Sequence, residues 1–341
     1  MSTIKVKLIG KGTSAGRGVG FYEENLVKSL KKTSGVKVVT TDSDIDHFVF
    51  YDIFYKTLPS NLNKPTVVTV HDLTPLVLSD RYPKGIISSI NMVRQWLALR
   101  KVQAIITDSE NSKNDLVRLF RIPEEKIFVT PLAVSDEYHQ PVSEKDKQRV
   151  IKKYNLPKKF IISAPGGPDP NKNLPSLAEV SERLNIPLVL VGSRLLEEPP
   201  KPVPPELIDL VRLQVYPHII RLGFVDNEDL NVLYRLATCH VQASLYEGFG
   251  LPLLEAMTTG CPTISSSKSS LPEVYHPDTI TFNPRSLRSM EKALTKLLKM
   301  SPSNLEKYIN KNRQKAKEFT WQKTADLTAS VYKKVYDNNH Q

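Results

Sequence analysis

The sequence predicts an α/β fold with two doubly wound, Rossmann-like domains that face each other across a cleft. Short runs rich in Val and Ile alternate with segments of helical spacing along the 341 residues. These runs are almost continuously apolar, as expected of parallel strands that are buried on both faces of a sheet. The alternation begins again after the polar stretch 143–159, which indicates a second domain.

The first domain is predicted to comprise residues 1–142. Its predicted strands occupy residues 4–10, 36–41, 65–72, 104–109 and 127–132. Its predicted helices occupy residues 21–32, 84–101 and 113–120. A glycine-rich loop, residues 10–20, joins the first strand to the first helix. Ligands of such open sheets bind at the carboxyl ends of the strands, so the loops that follow strands are the candidates for a site.

The second domain is predicted to comprise residues 143–320. Its predicted strands occupy residues 160–166, 187–193, 219–225, 240–246 and 262–267. Its predicted helices occupy residues 174–184, 206–214, 228–237, 252–258 and 301–318. A last helix, 321–337, lies in a C-terminal segment, residues 321–341, that is predicted to pack back toward the first domain.

The composition argues against several classes of protein. The chain is 40% apolar and 24% charged, which is ordinary for a globular protein. No run approaches the ~18 uncharged apolar residues of a membrane span, and no secretory signal precedes the first strand, so we expect a cytoplasmic protein. The net charge of +11 is spread along the chain without a basic tail, so no nucleic-acid partner is expected. Cys239 and Cys261 lack CxxC spacing and are expected to be buried apolar residues.

The most informative local motif is YEGFGLPLLEA, residues 246–256, which follows a predicted strand. Its glycines permit a close approach of the backbone to a ligand, and Pro252 fits the first turn of the next helix. The backbone amides of Phe249, Gly250 and Leu251 then lie at a helix N-terminus, where partial positive charge favours an anion. The motif therefore predicts a binding site for phosphate groups.

Two glutamates flank this predicted phosphate site. Glu255, about one turn into the helix, is suited to accept hydrogen bonds from a ribose diol beside the phosphates. Glu247, at the mouth of the loop, is suited to contact a sugar hydroxyl. The predicted ligand is therefore a sugar nucleotide. The motif alone favours equally an alternative in which Glu255 offsets the helix dipole and Glu247 is a solvated turn residue.

The loop GGPDPNKNL, residues 166–174, adds a cation to the predicted site. Gly166 and Gly167 permit a tight turn after the strand, and Lys172 follows Asn171 just before a predicted helix. A lysine ammonium is a point charge suited to a diphosphate, whereas the helix dipole mildly disfavours a cation at a helix start. That misfit favours a binding role for Lys172.

Two further strand ends carry candidate residues. In GFVDNEDL, residues 223–230, the backbone around Val225 offers hydrogen bonds to the edge of a base, although a plain turn with a helix cap explains the pattern equally well. His71 and Asp72 end the buried strand 65–72. A histidine at the mouth of a cleft suggests a site, and a structural, hydrogen-bonded histidine is the alternative.

Together these motifs resemble those of glycosyltransferase family 4, a group of retaining, two-domain enzymes with the GT-B fold. The resemblance covers nearly the whole chain. In the first domain it rests on GRGVGFYEENLVKSL, VVTVHDLTPL and IITDSENSKNDLVRLFRIPEEKIFVTPLAV. In the second domain it rests on PDPNKNL, RLGFVDNEDLNVLY, SLYEGFGLPLLEAMTTGCPTISS and SSLPEV.

The resemblance implies a role for each candidate residue. Glu255 would bind the nucleotide ribose, and Glu247 would hold the donor sugar. Lys172 would grip the diphosphate, and His71 would lie beside the donor sugar and the reaction centre. The first glycine loop of the family, which lies close to donor phosphate and acceptor, corresponds to Gly16, Gly18 and Gly20.

The sequence departs from the family pattern in one respect. Many members carry an arginine near the lysine, and Gly166 or Asn171 stands at those places here. The missing charge implies either a weaker grip on the donor or compensation by Arg17 or Arg194.

The implied reaction is a sugar transfer that retains the anomeric configuration and needs no obligatory metal or other cofactor. Fixed amides and Lys172 would stabilise the leaving diphosphate, and domain closure would exclude water. The motifs favour GDP-mannose as the donor over a UDP-sugar. The expected acceptor is a saccharide or a lipid-linked acceptor in the synthesis of a cell-envelope polysaccharide or glycolipid.

Three other functions are open at this point. An NAD-dependent oxidoreductase would use the first glycine loop and Asp42, although the glycines do not give G-x-G-x-x-G. A metal-dependent transferase would use the D-x-D patterns in residues 42–46. A catalytically inactive relative would only bind phosphate or polyanions, but the presence of His71, Lys172 and both glutamates argues against it.

The predicted helix 84–101 offers a possible contact with an anionic membrane. Its apolar residues and its basic residues are Ile86, Ile87, Ile90, Val93, Trp96 and Leu97, and Lys84, Arg94, Arg100 and Lys101. Periodicity alone favours the alternative, a core helix of the first domain with basic ends.

Overall fold

Two parallel sheets of buried aliphatic strands form the framework of the protein. The computed structural model describes residues 3–10, 19–82 and 85–340. The strands are β1 (Ile4–Ile9), β2 (Val36–Val38), β3 (Ile45–Phe48), β4 (Thr66–Thr69), β5 (Ala104–Thr107), β6 (Ile127–Val129), β7 (Ile161–Ser163), β8 (Leu188–Val191), β9 (Ile219–Leu222), β10 (Cys239–Gln242), β11 (Thr263–Ser266) and β12 (Thr281–Phe282). The sheet orders are β2-β1-β3-β4-β5-β6 and β12-β11-β10-β7-β8-β9. The prediction of two doubly wound α/β sheets is confirmed.

Helices lie in most of the connections between successive strands, whereas the connections from β2 to β3 and from β3 to β4, both within the described residues, contain none. They are α1 (Val19–Leu30), α2 (Thr74–Val77), α3 (Ile86–Lys101), α4 (Glu110–Phe120), α5 (Glu144–Tyr154), α6 (Leu174–Arg183), α7 (Ile208–Arg212), α8 (Asn227–Leu236), α9 (Leu251–Thr259), α10 (Leu271–Val274), α11 (Leu287–Leu298), α12 (Pro302–Ala316) and α13 (Trp321–Asn339). The sequence patterns missed α5, α11 and the two four-residue helices α2 and α10. The polar composition of α5 hides it, and a capping box between Ser143 and Asp146 fixes its start.

Contacts divide the chain into two units, and each unit consists of more than one segment of the sequence. The first unit contains Met1–Leu73, Pro83–Ala133 and Phe319–Gln341. The second unit contains Thr74–Tyr82 and Val134–Glu318. The boundary thus follows Ala133, whereas the sequence placed it after residue 142. No sequence pattern indicated that Thr74–Tyr82, which we call the strap, would pack with the second unit.

In the first unit, α13 packs against α1 and the sheet through a buried polar network. His47 is fully buried, and its Nδ1 lies 2.6 Å from the Tyr332 hydroxyl of α13. Its Nε2 lies 2.8 Å from Oγ1 of Thr69, which is 3.1 Å from the Tyr22 hydroxyl. Burial lowers the pKa of His47 to about 3, so the ring is neutral near pH 7. The predicted packing of the last helix on the first domain is confirmed.

Helix α3 exposes an apolar face to solvent. Ile86, Ile87, Ile90, Val93 and Leu97 are 49–82% exposed. The opposite face buries Gln95, Ala98 and Leu99, and Trp96 donates from Nε1 to the Phe120 carbonyl. The favoured interpretation of this segment as a core helix is therefore wrong for half of its surface. Lys84 lies outside the described residues.

The second unit gathers its loops at one edge. Because β7 to β11 are parallel neighbours, the loops after their carboxyl ends lie on the same side of the sheet. The strap packs on this unit through Leu78, which lies in an apolar cluster with Leu245 and Tyr246. The loops that follow β7, β9 and β10 contain the residues that the sequence motifs singled out.

Candidate active site

An ion pair between Lys172 and Glu247 lies where the loops after β7 and β10 meet. The Nζ atom of Lys172 is 2.8 Å from Oε1 and 2.9 Å from Oε2 of Glu247. Their side chains are only 17% and 10% exposed. Pro170–Lys172 forms a short 3₁₀ turn, and Asn173, with φ +56°, begins α6 immediately afterwards. The turn thus points the lysine at the carboxylate before the chain enters the helix.

Hydrogen bonds from neighbouring strand and loop residues fix Glu247. Its Oε1 accepts from Ser244 Oγ over 2.7 Å and from Gln242 Nε2 over 3.0 Å. Its backbone N–H donates to Ser269 Oγ over 2.9 Å. Ser270 Oγ lies 2.9 Å from the carbonyl oxygens of both Glu247 and Phe249. The sequence analysis did not predict these four polar residues. Gln242 lies in strand β10, and Ser269 and Ser270 lie in the loop after β11, outside the motif that contains Glu247.

The start of α9 has the backbone geometry that the motif predicted. Gly250 has φ +113°, a conformation that favours glycine, and a Cβ there would come within 2.6 Å of Leu271 Cδ2. Leu251 is the first helical residue, and Pro252 follows it. Pro252 has no N–H, and the N–H groups of Leu253 and Leu254 donate to the Gly250 carbonyl over 3.1 and 3.2 Å. The Leu251 N–H and the amides that precede it therefore lie at the positive end of the helix dipole.

Glu255 is buried one turn into α9 and held by a tyrosine. It is 7% exposed, and its Oε2 accepts a hydrogen bond from the Tyr234 hydroxyl over 3.0 Å. The Tyr234 ring packs edge-on against His240, whose Nε2 lies 3.1 Å from Oε1 of Gln242. Burial lowers the pKa of His240 to about 4. Gln242 also bonds Glu247, so a buried network joins the two glutamates.

The conformation of the lysine loop, residues 166–174, depends on Gly166, Gly167 and Asn171. Gly166 has φ +80°, and a Cβ on Gly192 would lie 2.5 Å from the Gly166 carbonyl oxygen, so two strand ends meet closely here. Asn171 is 6% exposed and donates from Nδ2 to the Tyr246 carbonyl over 3.0 Å. Its Oδ1 accepts from the Tyr82 hydroxyl over 2.8 Å. The amide of Asn171 is thus engaged inside the protein.

Two arginines flank the lysine loop. Arg194 lies beside Gly167 and pairs with Asp169 at 3.3 Å and with Glu197 at 3.4 Å. Arg81, which the sequence motifs did not suggest, places Nη1 3.4 Å from the Pro170 carbonyl. Arg194 is therefore near enough to add positive charge to the loop, although acids partly neutralise it. Arg17, the other suggested replacement, lies outside the described residues.

In the first unit, His71 forms a buried pair with Asp108. Its Nδ1 is 2.8 Å from Asp108 Oδ2, and the Tyr22 ring packs edge-on against the imidazole. Burial lowers the pKa of His71, but the Asp108 carboxylate, the Asp72 carboxylate and the Val49 backbone together raise it, and the net shift is upward. Burial raises the pKa of Asp108 against the opposing pull of His71. Among the described residues, His71 Nε2 has no hydrogen-bond partner. The hydrogen bond to Asp108 thus orients the ring through Nδ1.

The remaining predicted residues have different outcomes. Val225 lies in the loop after β9 and is 2% exposed, while the adjacent Phe224 is 68% exposed. Gly20 lies inside α1 rather than in a glycine loop. Gly16 and Gly18 lie outside the described residues. Helix α1 therefore begins at Val19, within the last two residues of the predicted glycine loop.

The structure places the aspartates of the two rival predictions away from the strand ends where ligands bind. Asp42 pairs with Lys5 at 2.7 Å, and Asp44 Oδ2 accepts from the Lys5 backbone N–H over 2.7 Å, both at the start of β1. A ribose-binding acid would lie at a carboxyl end. Within the described ranges, no group of three His, Cys, Asp or Glu side chains could hold a metal ion.

This fold and site together define a glycosyltransferase with two Rossmann-like units. Residues 145–316 match the family model "Glycosyl transferases group 1", and residues 16–138 match "Glycosyltransferase Family 4". The chain belongs to this family of transferases, and it is a hexosyltransferase. The resemblance inferred from its motifs is confirmed.

Several similar proteins are mannosyltransferases. The chain is 31% identical to O-antigen chain mannosyltransferase B of Escherichia coli over 81% of this chain and 72% of that protein. It is 28% identical to the E. coli serotype-specific mannosyltransferase WbdA over 92% of this chain and 40% of that protein. It is also 28% identical to the MMP alpha-(1->4)-mannosyltransferase of Mycolicibacterium hassiacum, over 72% of this chain and 59% of that protein. The chain thus spans less than two thirds of the length of the last two relatives.

Solved structures share the fold at low sequence identity. Sucrose-phosphate synthase from Thermosynechococcus elongatus superposes with a TM-score of 0.74 at 17% identity, covering 98% of this chain and 99% of that one. Anabaena HepE, solved in complex with UDP-glucose, gives a TM-score of 0.71 at 13% identity, covering 99% of each chain. These two likenesses support the fold alone.

Proposed function

We propose that this hexosyltransferase moves a sugar, with retention of anomeric configuration, from a nucleoside-diphosphate sugar to a saccharide or lipid-linked acceptor. The observation that carries the proposal is the buried Lys172–Glu247 pair beside the start of α9, with Glu255 buried one turn further on. A cation, a helix start and two acids within one loop cluster suit a diphosphate flanked by hydroxyl-rich sugars.

Each group has a distinct task in this proposal. The N–H groups at Phe249 to Leu251 and the Lys172 ammonium bind the diphosphate and stabilise the charge that develops on it. Glu255 accepts hydrogen bonds from the ribose, and Glu247 from the donor sugar. His71 contacts the donor sugar near the reacting carbon. Loop backbone at Val225 meets the base.

The chemical step is a front-face displacement. The bond between the anomeric carbon and the diphosphate oxygen breaks while the acceptor hydroxyl oxygen bonds to the same face of that carbon. The acceptor proton passes to the departing phosphate oxygen. The products are the glycosylated acceptor and a nucleoside diphosphate. Because the amides and Lys172 offset the leaving charge, the step needs no obligatory metal or other cofactor.

GDP-mannose is the favoured donor, and a UDP-sugar is the second candidate. The mannosyltransferase relatives support mannose as the transferred sugar. The E. coli relative named for the O-antigen supports a cell-envelope polysaccharide or glycolipid as the product. A loop that reads the base through its backbone accommodates either nucleotide.

Peripheral contact with an anionic membrane is part of the proposal, because a lipid-linked acceptor would lie there. The exposed face of α3 supports it, with Arg94, Arg100 and Lys101 near an apolar surface that contains no acid. Among the described residues, no helix is both long and apolar enough to cross a bilayer.

A thermal-shift and transfer experiment tests the proposal. GDP, GDP-mannose, UDP and UDP-glucose are each added to the protein, and a ligand that binds the folded state raises the melting temperature. We expect stabilisation by the cognate nucleotide and its sugar, and transfer that persists in excess EDTA. Failure of every nucleoside diphosphate to stabilise the protein would refute the proposed site.

A further inference from the structure

The strap brings residues from the first half of the sequence onto the loops that carry Lys172 and Glu247. Leu78 is 5% exposed and packs with Leu245 and Tyr246. Thr74, where the strap begins, is only three residues beyond His71 in the sequence. The strap therefore contributes a distant part of the sequence to the surroundings of two site residues.

Two polar contacts join the end of the strap to the lysine loop. The Tyr82 hydroxyl donates to Asn171 Oδ1 over 2.8 Å. Arg81 Nη1 lies 3.4 Å from the Pro170 carbonyl, a weaker contact to the preceding residue. Both acceptors belong to the short turn that ends at Lys172.

Asn171 also forms hydrogen bonds with the loop after β10. Its Nδ2 donates to the Tyr246 carbonyl over 3.0 Å, and its own carbonyl accepts from the Leu245 N–H over 2.7 Å. Tyr246 directly precedes Glu247, and Asn171 directly precedes Lys172. Asn171 thus links the backbone that precedes Lys172 to the backbone that precedes Glu247.

We propose that Tyr82 is a positioning residue that holds Lys172 and Glu247 in place for the diphosphate and the donor sugar. Without the tyrosine hydroxyl, Asn171 Oδ1 loses a buried donor, and the lysine turn gains freedom that ligand binding must then remove. Small displacements of charged groups weaken transition-state and ligand contacts strongly, because their geometry must be kept within a fraction of an ångström. This inference rests on the proposed function of the site.

A double-mutant cycle tests the inference. The affinities of wild type, Tyr82→Phe, Lys172→Met and the double variant for GDP and for UDP are measured by titration calorimetry. We expect Tyr82→Phe to weaken nucleoside diphosphate binding about five- to tenfold, the loss of one buried hydrogen bond. In the Lys172→Met background the same substitution should change affinity less than about twofold, because the group that it positions is absent.

A control variant shows whether the effect is specific to the Tyr82 hydroxyl. Tyr55→Phe removes a hydroxyl from a tyrosine of the first unit that is 64% exposed, and its affinity should equal that of wild type. Equal affinity of Tyr82→Phe and wild type would overturn the inference while leaving the proposed function intact. So would an equal loss in both lysine backgrounds. Absence of GDP and UDP binding by wild type would instead count against the proposed function.

Discussion

The hydroxyl of Tyr234 donates a hydrogen bond to Oε2 of Glu255 over 3.0 Å, and both residues are buried. A carboxylate in this setting is oriented before any ligand arrives, because one oxygen is already engaged. A carboxylate accepts hydrogen bonds through both of its oxygens, so it suits a ligand that donates hydrogen bonds. A ribose diol has two such donors, which favours the assignment of Glu255 to the nucleotide ribose.

Glu255→Ala should lower the affinity for the nucleoside diphosphate and remove its dependence on the ribose hydroxyls. Hydrogen bonds to a charged group contribute about 1.5–3 kcal/mol each, so we expect a loss of at least about tenfold. Titration with the cognate diphosphate and with its 2′,3′-dideoxy analogue checks this. Wild type should prefer the natural ligand, and the variant should bind the two alike. A variant that keeps the preference would show that the ribose lies elsewhere.

Asp108→Asn should lower the pKa of His71 and reduce turnover without weakening donor binding. The carboxylate raises the pKa of the ring above its ordinary value, whereas burial alone lowers it. A raised pKa in the folded state stabilises the fold fully below the unfolded value of about 6.5, and this contribution is lost as pH rises through the folded pKa. The stability difference between wild type and variant should therefore narrow as pH rises.

Three measurements check the effect of Asp108→Asn. An NMR titration of the His71 ring gives its pKa, chemical denaturation at several pH values gives stability, and initial rates give kcat and KM. We expect a lower kcat and a KM for the donor within about twofold of wild type, because removing the orienting acid affects the reacting geometry. An unchanged ring pKa would show that the Asp108 carboxylate does not set the charge state of His71.

The sequence could predict the site residues that lie in short motifs, but not those whose position depends on the pairing of distant strands. Glu247, Gly250, Glu255 and Lys172 occur in short motifs, so local spacing was enough to find them. Asp108 was missed because its position beside His71 depends on the pairing of two strands. Strands β4 and β5 pair Thr69 with Ile106, and continuing this register places residue 108 opposite residue 71.

The remaining gaps have similar physical causes. Strand β3 was missed because it is only four residues long, has two adjacent polar residues at its centre, and follows two aspartates. The bond between Tyr82 and Asn171 joins residues 89 positions apart and has no local signal. The exposed face of α3 was only the less favoured of two interpretations, because helical periodicity identifies an apolar face without identifying what covers it.

Tyr332→Phe should destabilise the first unit without changing nucleotide affinity. The hydroxyl lies 2.6 Å from His47 Nδ1 inside a buried network, and its removal leaves the ring nitrogen without this partner. The expected loss is about 1–3 kcal/mol of unfolding free energy. Urea denaturation measures the loss, with Tyr336→Phe, a less buried tyrosine of the same helix, as the control. Equal stabilities of the two variants would exclude an anchoring role for Tyr332.

Replacing apolar residues on the exposed face of α3 should abolish binding to anionic vesicles. Ile86, Ile90, Val93 and Leu97 recur at intervals of four, three and four residues, so they lie on one face of the helix. Arg94, Arg100 and Lys101 add positive charge to the same helix, which contains no acid. An apolar stripe with basic neighbours suits a bilayer surface that presents acyl chains below negative headgroups.

Flotation with vesicles of phosphatidylcholine alone, or with added phosphatidylglycerol, measures this contact. Wild type should float with the anionic vesicles, and binding should weaken as salt rises because the basic residues are screened. Ile86→Glu combined with Ile90→Glu should prevent flotation, whereas Val215→Glu, which changes a 71% exposed valine of the second unit, should not. Nucleotide affinity should match wild type in both variants, because neither change lies in the candidate site. If the α3 variant floated as well as the Val215 control, the apolar face would have to contact something other than lipid.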